Sequence, residues 1–105
     1  MSEFDNGLTK AERERLDLLM EEMGECLQII GKIGRHGYES YNPFDEKKKS
    51  NRDLFTKELA DVQVSINRIL DVEDVSNLLF GALMSKKEHD VIPYLHHQEE
   101  EQSDE

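Results

Sequence analysis

The sequence is poor in the residues that tie small folds together by unusual means. Its single cysteine, Cys26, excludes an internal disulfide and suits a reducing cytoplasm. There are only two prolines, Pro43 in an Asn-Pro break and Pro93 near the end, so helices can run long between them. Basic residues are scarce, 13 Lys plus Arg against 24 Asp plus Glu, and the net charge of −11 argues against a nucleic-acid polymer as partner. No apolar run reaches membrane-spanning length, and the start, MSEFDNGLTK, lacks the basic and apolar segments of a signal peptide. A soluble, cytoplasmic protein without a membrane partner is expected. Histidine and cysteine are also missing at the spacing a zinc site requires.

What the chain does contain is helical patterning. A length of 105 residues suits one small domain, too short to enclose a deep pocket alone, so homo-oligomerisation is a natural completion. Residues 1–9 read as a leader in which Phe4 and Leu8 could dock on the body. Thr9 and Glu12 form a T-x-x-E capping box, placing a first helix at about residues 10–33, with Gly34 as its C-terminal cap. Leu16, Leu19, Met20, Met23, Leu27 and Ile30 share one side of it and are expected to face the core. Leu18, Cys26 and Ile29 form a second apolar set, with Cys26 as a small filler. Ser50 or Asn51 caps a second helix running to about Leu70, whose apolar face is Phe55, Leu59, Val62, Ile66, Ile69 and Leu70. After the acidic turn DVED, a third helix would present Val75, Leu78, Leu79, Ala82 and Leu83, and a short segment around Pro93 follows. No alternation supports a sheet. The fold class is all-α, a helical domain over residues 10–95 with a long loop at 35–50 and an acidic, disordered tail at 96–105. Residues 98–105 carry five acids and no base, leaving −6 for the rest.

The loop holds Tyr38, Tyr41 and Phe44 beside the run Lys47, Lys48, Lys49. One reading makes it a lid, with the rings over a flat ligand and Lys32, Arg35, His36 or the lysine run meeting phosphates. The other makes the rings anchors and the lysines a solvated patch.

Carboxylates mark the chemistry. Glu22 and Glu25 lie three apart on the first helix, between apolar residues, and Glu58 and Asp61 lie three apart along the border of the second helix's face. Burying ionised carboxylates is unfavourable by several kcal/mol each, on the order given for unpaired charges, unless a partner or metal compensates. If the helices pack antiparallel, the four acids converge and invite a hard divalent cation such as Mg²⁺, which takes oxygen ligands and keeps waters that a triphosphate can replace. A carboxylate-bridged di-iron bundle is the weaker match, because neither Glu22 nor Glu58 is followed by histidine three residues later.

MEEMGEC together with KELADV resembles the E-E-x-x-E and E-x-x-D signature of the MazG-like, all-α nucleoside triphosphate pyrophosphohydrolase superfamily, over roughly residues 10–90. The connection between the acid pairs is longer here than in most compact MazG domains. The resemblance implies that Glu22, Glu25, Glu58 and Asp61 bind Mg²⁺, with Mn²⁺ as a substitute, and that a nucleoside triphosphate is hydrolysed to its monophosphate and pyrophosphate by a homodimer or homotetramer. Glu25 is the expected water-positioning base, with Glu22 close behind. Lys32 and Arg35, and by the family's use of basic and amide residues after the second acid pair Asn77, Lys86 and Lys87, are candidate substrate contacts. The competing functions are a non-catalytic helical interaction module and a nucleotide sensor.

Overall fold

The computed structural model describes residues 5–99, and these are all-α: α1 (Lys10–His36), α2 (Asn51–Asp71) and α3 (Asn77–Asp90), followed by a 3₁₀ turn at Ile92–Tyr94. Phe4 and the last six residues of the acidic tail lie outside the described residues. None of the described helices is long and apolar enough to cross a membrane.

Local chemistry sets the helix starts. The Thr9 hydroxyl accepts from the Glu12 backbone N–H, and the Glu12 carboxylate accepts from the Thr9 N–H, so the capping box forms as expected. Ser50 caps α2 by accepting from Asp53 N–H, and Ser76 caps α3 by accepting from Leu79 N–H. The end of α1 differs from expectation. Gly34 lies inside the helix, which continues through Arg35 and His36 to Gly37, whose φ of 86° is the conformation glycine tolerates best. Arg35 in the last turn complements the negative end of the helix, which favours the extra turn.

The chain divides after Asp74 into two compact units. In the first, α1 and α2 form an antiparallel hairpin clasped at both ends. At the open end Arg15 donates to both oxygens of Asp74, at 2.7 and 3.1 Å. At the loop end the Asn51 side-chain amide donates to the Gly37 carbonyl at 3.1 Å, with Asn51 itself buried. The connection from 37 to 50 is a folded strap: Asn51 N–H donates to Ser40 O, Arg52 N–H donates to Tyr38 O, and Tyr41 pairs with Ser50. Tyr38 packs on Phe55 and under the Arg52 guanidinium, 4.4 Å from its ring centre, so this ring is an anchor. Phe44 is almost fully exposed and anchors nothing.

The core corrects the expected orientation of α1. Among the described residues the buried apolar ones are Cys26, Ile29 and Ile69, and Ser65, 1% exposed, is a fully enclosed polar residue whose hydroxyl donates to Asp61 O. The side expected to face the core carries Leu16, Met20, Met23, Leu27 and Ile30 on the surface, between 45% and 67% exposed. Leu59 of α2 is exposed as well. Hydrophobic pattern ranked the two apolar sides of α1 by size, and the smaller one, shared with the acids, is the one turned toward α2.

The second unit comprises α3 and the 3₁₀ turn. None of α3 is buried, and Leu78, Leu79, Leu83 and Met84 are exposed. Lys86 pairs with Asp90 one turn on.

Candidate metal centre

The antiparallel hairpin places Glu22 and Glu25 of α1 opposite Glu58 and Asp61 of α2. One carboxylate oxygen from each of the four can be chosen so that all lie within 4.8 Å of one another. All four side chains are half-buried. The acids therefore sit in the interhelical face itself, continuing the row Leu18, Glu22, Glu25, Ile29 along α1.

Crowding is visible in the electrostatics. The Glu22 carboxyl is held above its ordinary pKa, first by desolvation and then by repulsion from Glu25, Asp61, Glu21 and Glu58. Glu58, whose side chain is only 13% exposed, is also raised, chiefly by desolvation and next by its contact with Glu25. That contact is a hydrogen bond only when one of the two carboxyls carries a proton. Lys57 opposes the trend: its ammonium lies 2.7 Å from Asp61 Oδ2 and 3.7 Å from Glu58 Oε1 and is itself held above its ordinary pKa, mainly by the hydrogen bond to Asp61. One ammonium faces four carboxylates, so the compensation is incomplete. Two oxygens, Glu22 Oε2 and Glu58 Oε2, are buried with no hydrogen-bond partner.

These features fit a divalent cation. Oxygens held about 2.0–2.6 Å from a Mg²⁺ or Ca²⁺ ion lie within about 4–5 Å of one another, the spacing seen here. A cation would also give the two orphaned oxygens the partner that buried polar atoms ordinarily have. The donor set is all carboxylate, which suits a hard ion.

The other sequence candidates fall elsewhere. Lys32 and Arg35 line a recess of about 420 Å³ formed by the end of α1, the strap and the start of α2. Asn77, Lys86 and Lys87 belong to α3 in the second unit. Lys57 was not singled out from the sequence, although its signal is present: it precedes Glu58 and stands four residues before Asp61, the spacing of a helical ion pair.

No family model matches the chain, and neither a curated protein nor a solved structure resembles it significantly.

Proposed function

We propose that the protein is a divalent-cation-dependent nucleoside triphosphate pyrophosphohydrolase of the MazG-like kind, converting an NTP or dNTP to its monophosphate and pyrophosphate. The observation that carries this reading is the convergence of Glu22, Glu25, Glu58 and Asp61, two of whose buried oxygens have no partner. These are the acids of the E-E-x-x-E and E-x-x-D motifs. In the reaction, water oxygen bonds to the α-phosphorus and the α–β anhydride bond breaks, its electron pair leaving with pyrophosphate. Bound Mg²⁺, or Mn²⁺ in its place, would neutralise the charge that builds on the phosphoryl oxygens and the leaving group.

The protein's own part is positioning and proton transfer. Glu22, Glu25, Glu58 and Asp61 would hold the cation against the hairpin. Glu25, mid-helix and in contact with Glu58, orients the attacking water and takes its proton. Glu25→Gln should lower turnover by about 10²–10⁴-fold, the usual range for a general base. Full turnover in that variant, with unchanged Mg²⁺ dependence, would remove Glu25 from the role.

We further propose that a second copy covers the outer side of α1. The surface-exposed Leu16, Met20, Met23, Leu27 and Ile30 form a stripe about 21 Å long at 1.5 Å per residue. Full burial of an exposed apolar side chain is worth about 1.5–3 kcal/mol, and these side chains, already about half covered, would gain roughly half of that each, a favourable term for self-association. The same stripe favours a second reading, a non-catalytic helical interaction module. Product analysis separates the two. Purified protein is incubated with Mg²⁺ and a panel of ribo- and deoxyribonucleoside triphosphates. Monophosphate plus pyrophosphate, lost on chelation and in Glu58→Gln, supports the enzyme; no turnover by folded protein across the panel supports the module or a nucleotide sensor.

A further inference from the structure

Next to the acids, toward the loop end of the hairpin, lies a recess of the opposite character. It is lined by Lys32 and Arg35 from α1, Lys49 from the strap, and Tyr41, Asp45 and Asn51 among others, and its volume is about 420 Å³. Lys32 stands seven residues after Glu25, on the same side of α1 and about 10 Å further along its axis at 1.5 Å per residue. On α2, Leu54 at the recess stands one turn before Glu58. Recess and acid cluster are thus neighbours along one interhelical face.

The charges in the recess are not balanced by the protein. Among the described residues, Arg13, Arg15, Arg52, Lys57 and Lys86 are each paired with an acid; Lys32, Arg35 and Lys49 have no salt bridge, in common with Lys10, Lys47, Lys48, Arg68 and Lys87, but these three line one recess together. Asp45 is the acid lining the recess, and its two oxygens accept from the backbone N–H groups of Lys47 and Lys49, so it serves the turn of the strap. A position in the last turn accounts for Arg35, because cations stabilise helix C-termini. It does not account for Lys49, which reaches the recess from another segment. In a chain of net charge −11, a concave site where three cations meet one committed carboxylate is a local reversal of sign.

We propose that this recess is a phosphate subsite, which holds the terminal phosphates of a polyphosphate ligand whose opposite end faces the acid cluster. The proposal rests on the pyrophosphohydrolase reading for the identity of that ligand, and it deepens that reading by giving the leaving pyrophosphate its own docking place. Lys32, Arg35 and Lys49 present several donors on long stems, and Arg35 can offer two parallel N–H groups to one phosphate. The acids alone repel a triphosphate; the recess beside them supplies attraction that does not depend on a metal ion.

That independence gives the test. Inorganic tripolyphosphate is titrated into the full chain in the presence of EDTA and followed by ³¹P NMR, for wild type, Lys32→Gln, Arg35→Gln, Lys49→Gln and Glu58→Gln, with circular dichroism confirming helix content. Saturable binding is expected in wild type, weakened about tenfold by each basic-residue substitution, the usual worth of one charge-assisted hydrogen bond. Glu58→Gln should bind as well as wild type or better, because it removes a neighbouring negative charge. If the chain hydrolyses no nucleotide but this pattern holds, the subsite stands and the enzyme reading falls. Absent binding in wild type, or equal binding in all three basic-residue variants, overturns the subsite. Equally tight binding of orthophosphate would overturn its assignment to the end of a polyphosphate chain.

Discussion

Glu58 is the residue at which structure and chemistry meet most sharply. It is largely buried, faces Glu22 and Glu25 from α1, and on its own helix has Asp61 and the opposing charge of Lys57. Its pKa in the folded chain is raised, so between the unfolded and folded values the native state binds more protons than the unfolded one. The stabilising contribution is therefore complete below the ordinary carboxylate range and is lost as pH rises through the raised folded value. Glu22 acts in the same direction. Metal-free Glu58→Gln should accordingly melt a few degrees above metal-free wild type at neutral pH, with the difference shrinking on acidification through the window above the ordinary carboxylate value; a scan of melting temperature against pH in EDTA checks this. Lys57 acts oppositely, since its ammonium occupies the place beside Asp61 that a cation would contest. Lys57→Gln should lower the melting temperature of the metal-free protein and tighten Mn²⁺ binding, as read by calorimetric titration. Both effects in reverse would mean that Lys57 supports the ion.

At the scale of the elements, the two glycines near the end of α1 make opposite predictions. Gly34 lies in the last turn of α1 with open space around its missing Cβ, so Gly34→Ala should stabilise by up to about 1 kcal/mol. Gly37 has φ of 86°, and Gly37→Ala should destabilise by about 1–3 kcal/mol, the range for backbone strain at a non-glycine residue. Urea denaturation of both variants measures the pair. The same end of α1 shows where local pattern is informative. The helix caps and acid spacings are local and legible: the Thr9–Glu12 capping box, Ser50, and the pairs at 22 and 25 and at 58 and 61. Gly34 and Gly37 are indistinguishable to a rule that ends helices at glycine, and only the backbone angle separates them. The side of α1 that packs was also hidden, because choosing between two apolar sides needs α2 in place. The size of the apolar stripe pointed away from the acids, whereas packing followed them. Lys57 is not separable by pattern, because a basic residue beside paired acids also reads as a solvated helical ion pair.

For the whole molecule, the small buried core and the large exposed stripe on α1 belong together: the hairpin leaves outside the residues that a second copy would enclose. Met23→Glu combined with Leu27→Glu should shift the protein to monomer in analytical ultracentrifugation without loss of helix content; an unchanged sedimentation coefficient would separate the stripe from self-association. The acids, the counter-charge of Lys57 and the adjacent basic recess all depend on one antiparallel pairing, so the account stands on whether that pairing makes a cation site. Electron paramagnetic resonance of Mn²⁺ titrated into wild type, Glu22→Gln and Glu58→Gln tests this most directly. Saturable binding in wild type and its loss in both variants are expected. Weak, non-saturating binding, the same in all three proteins, would show that the four carboxylates are a solvated acidic face and not a metal centre.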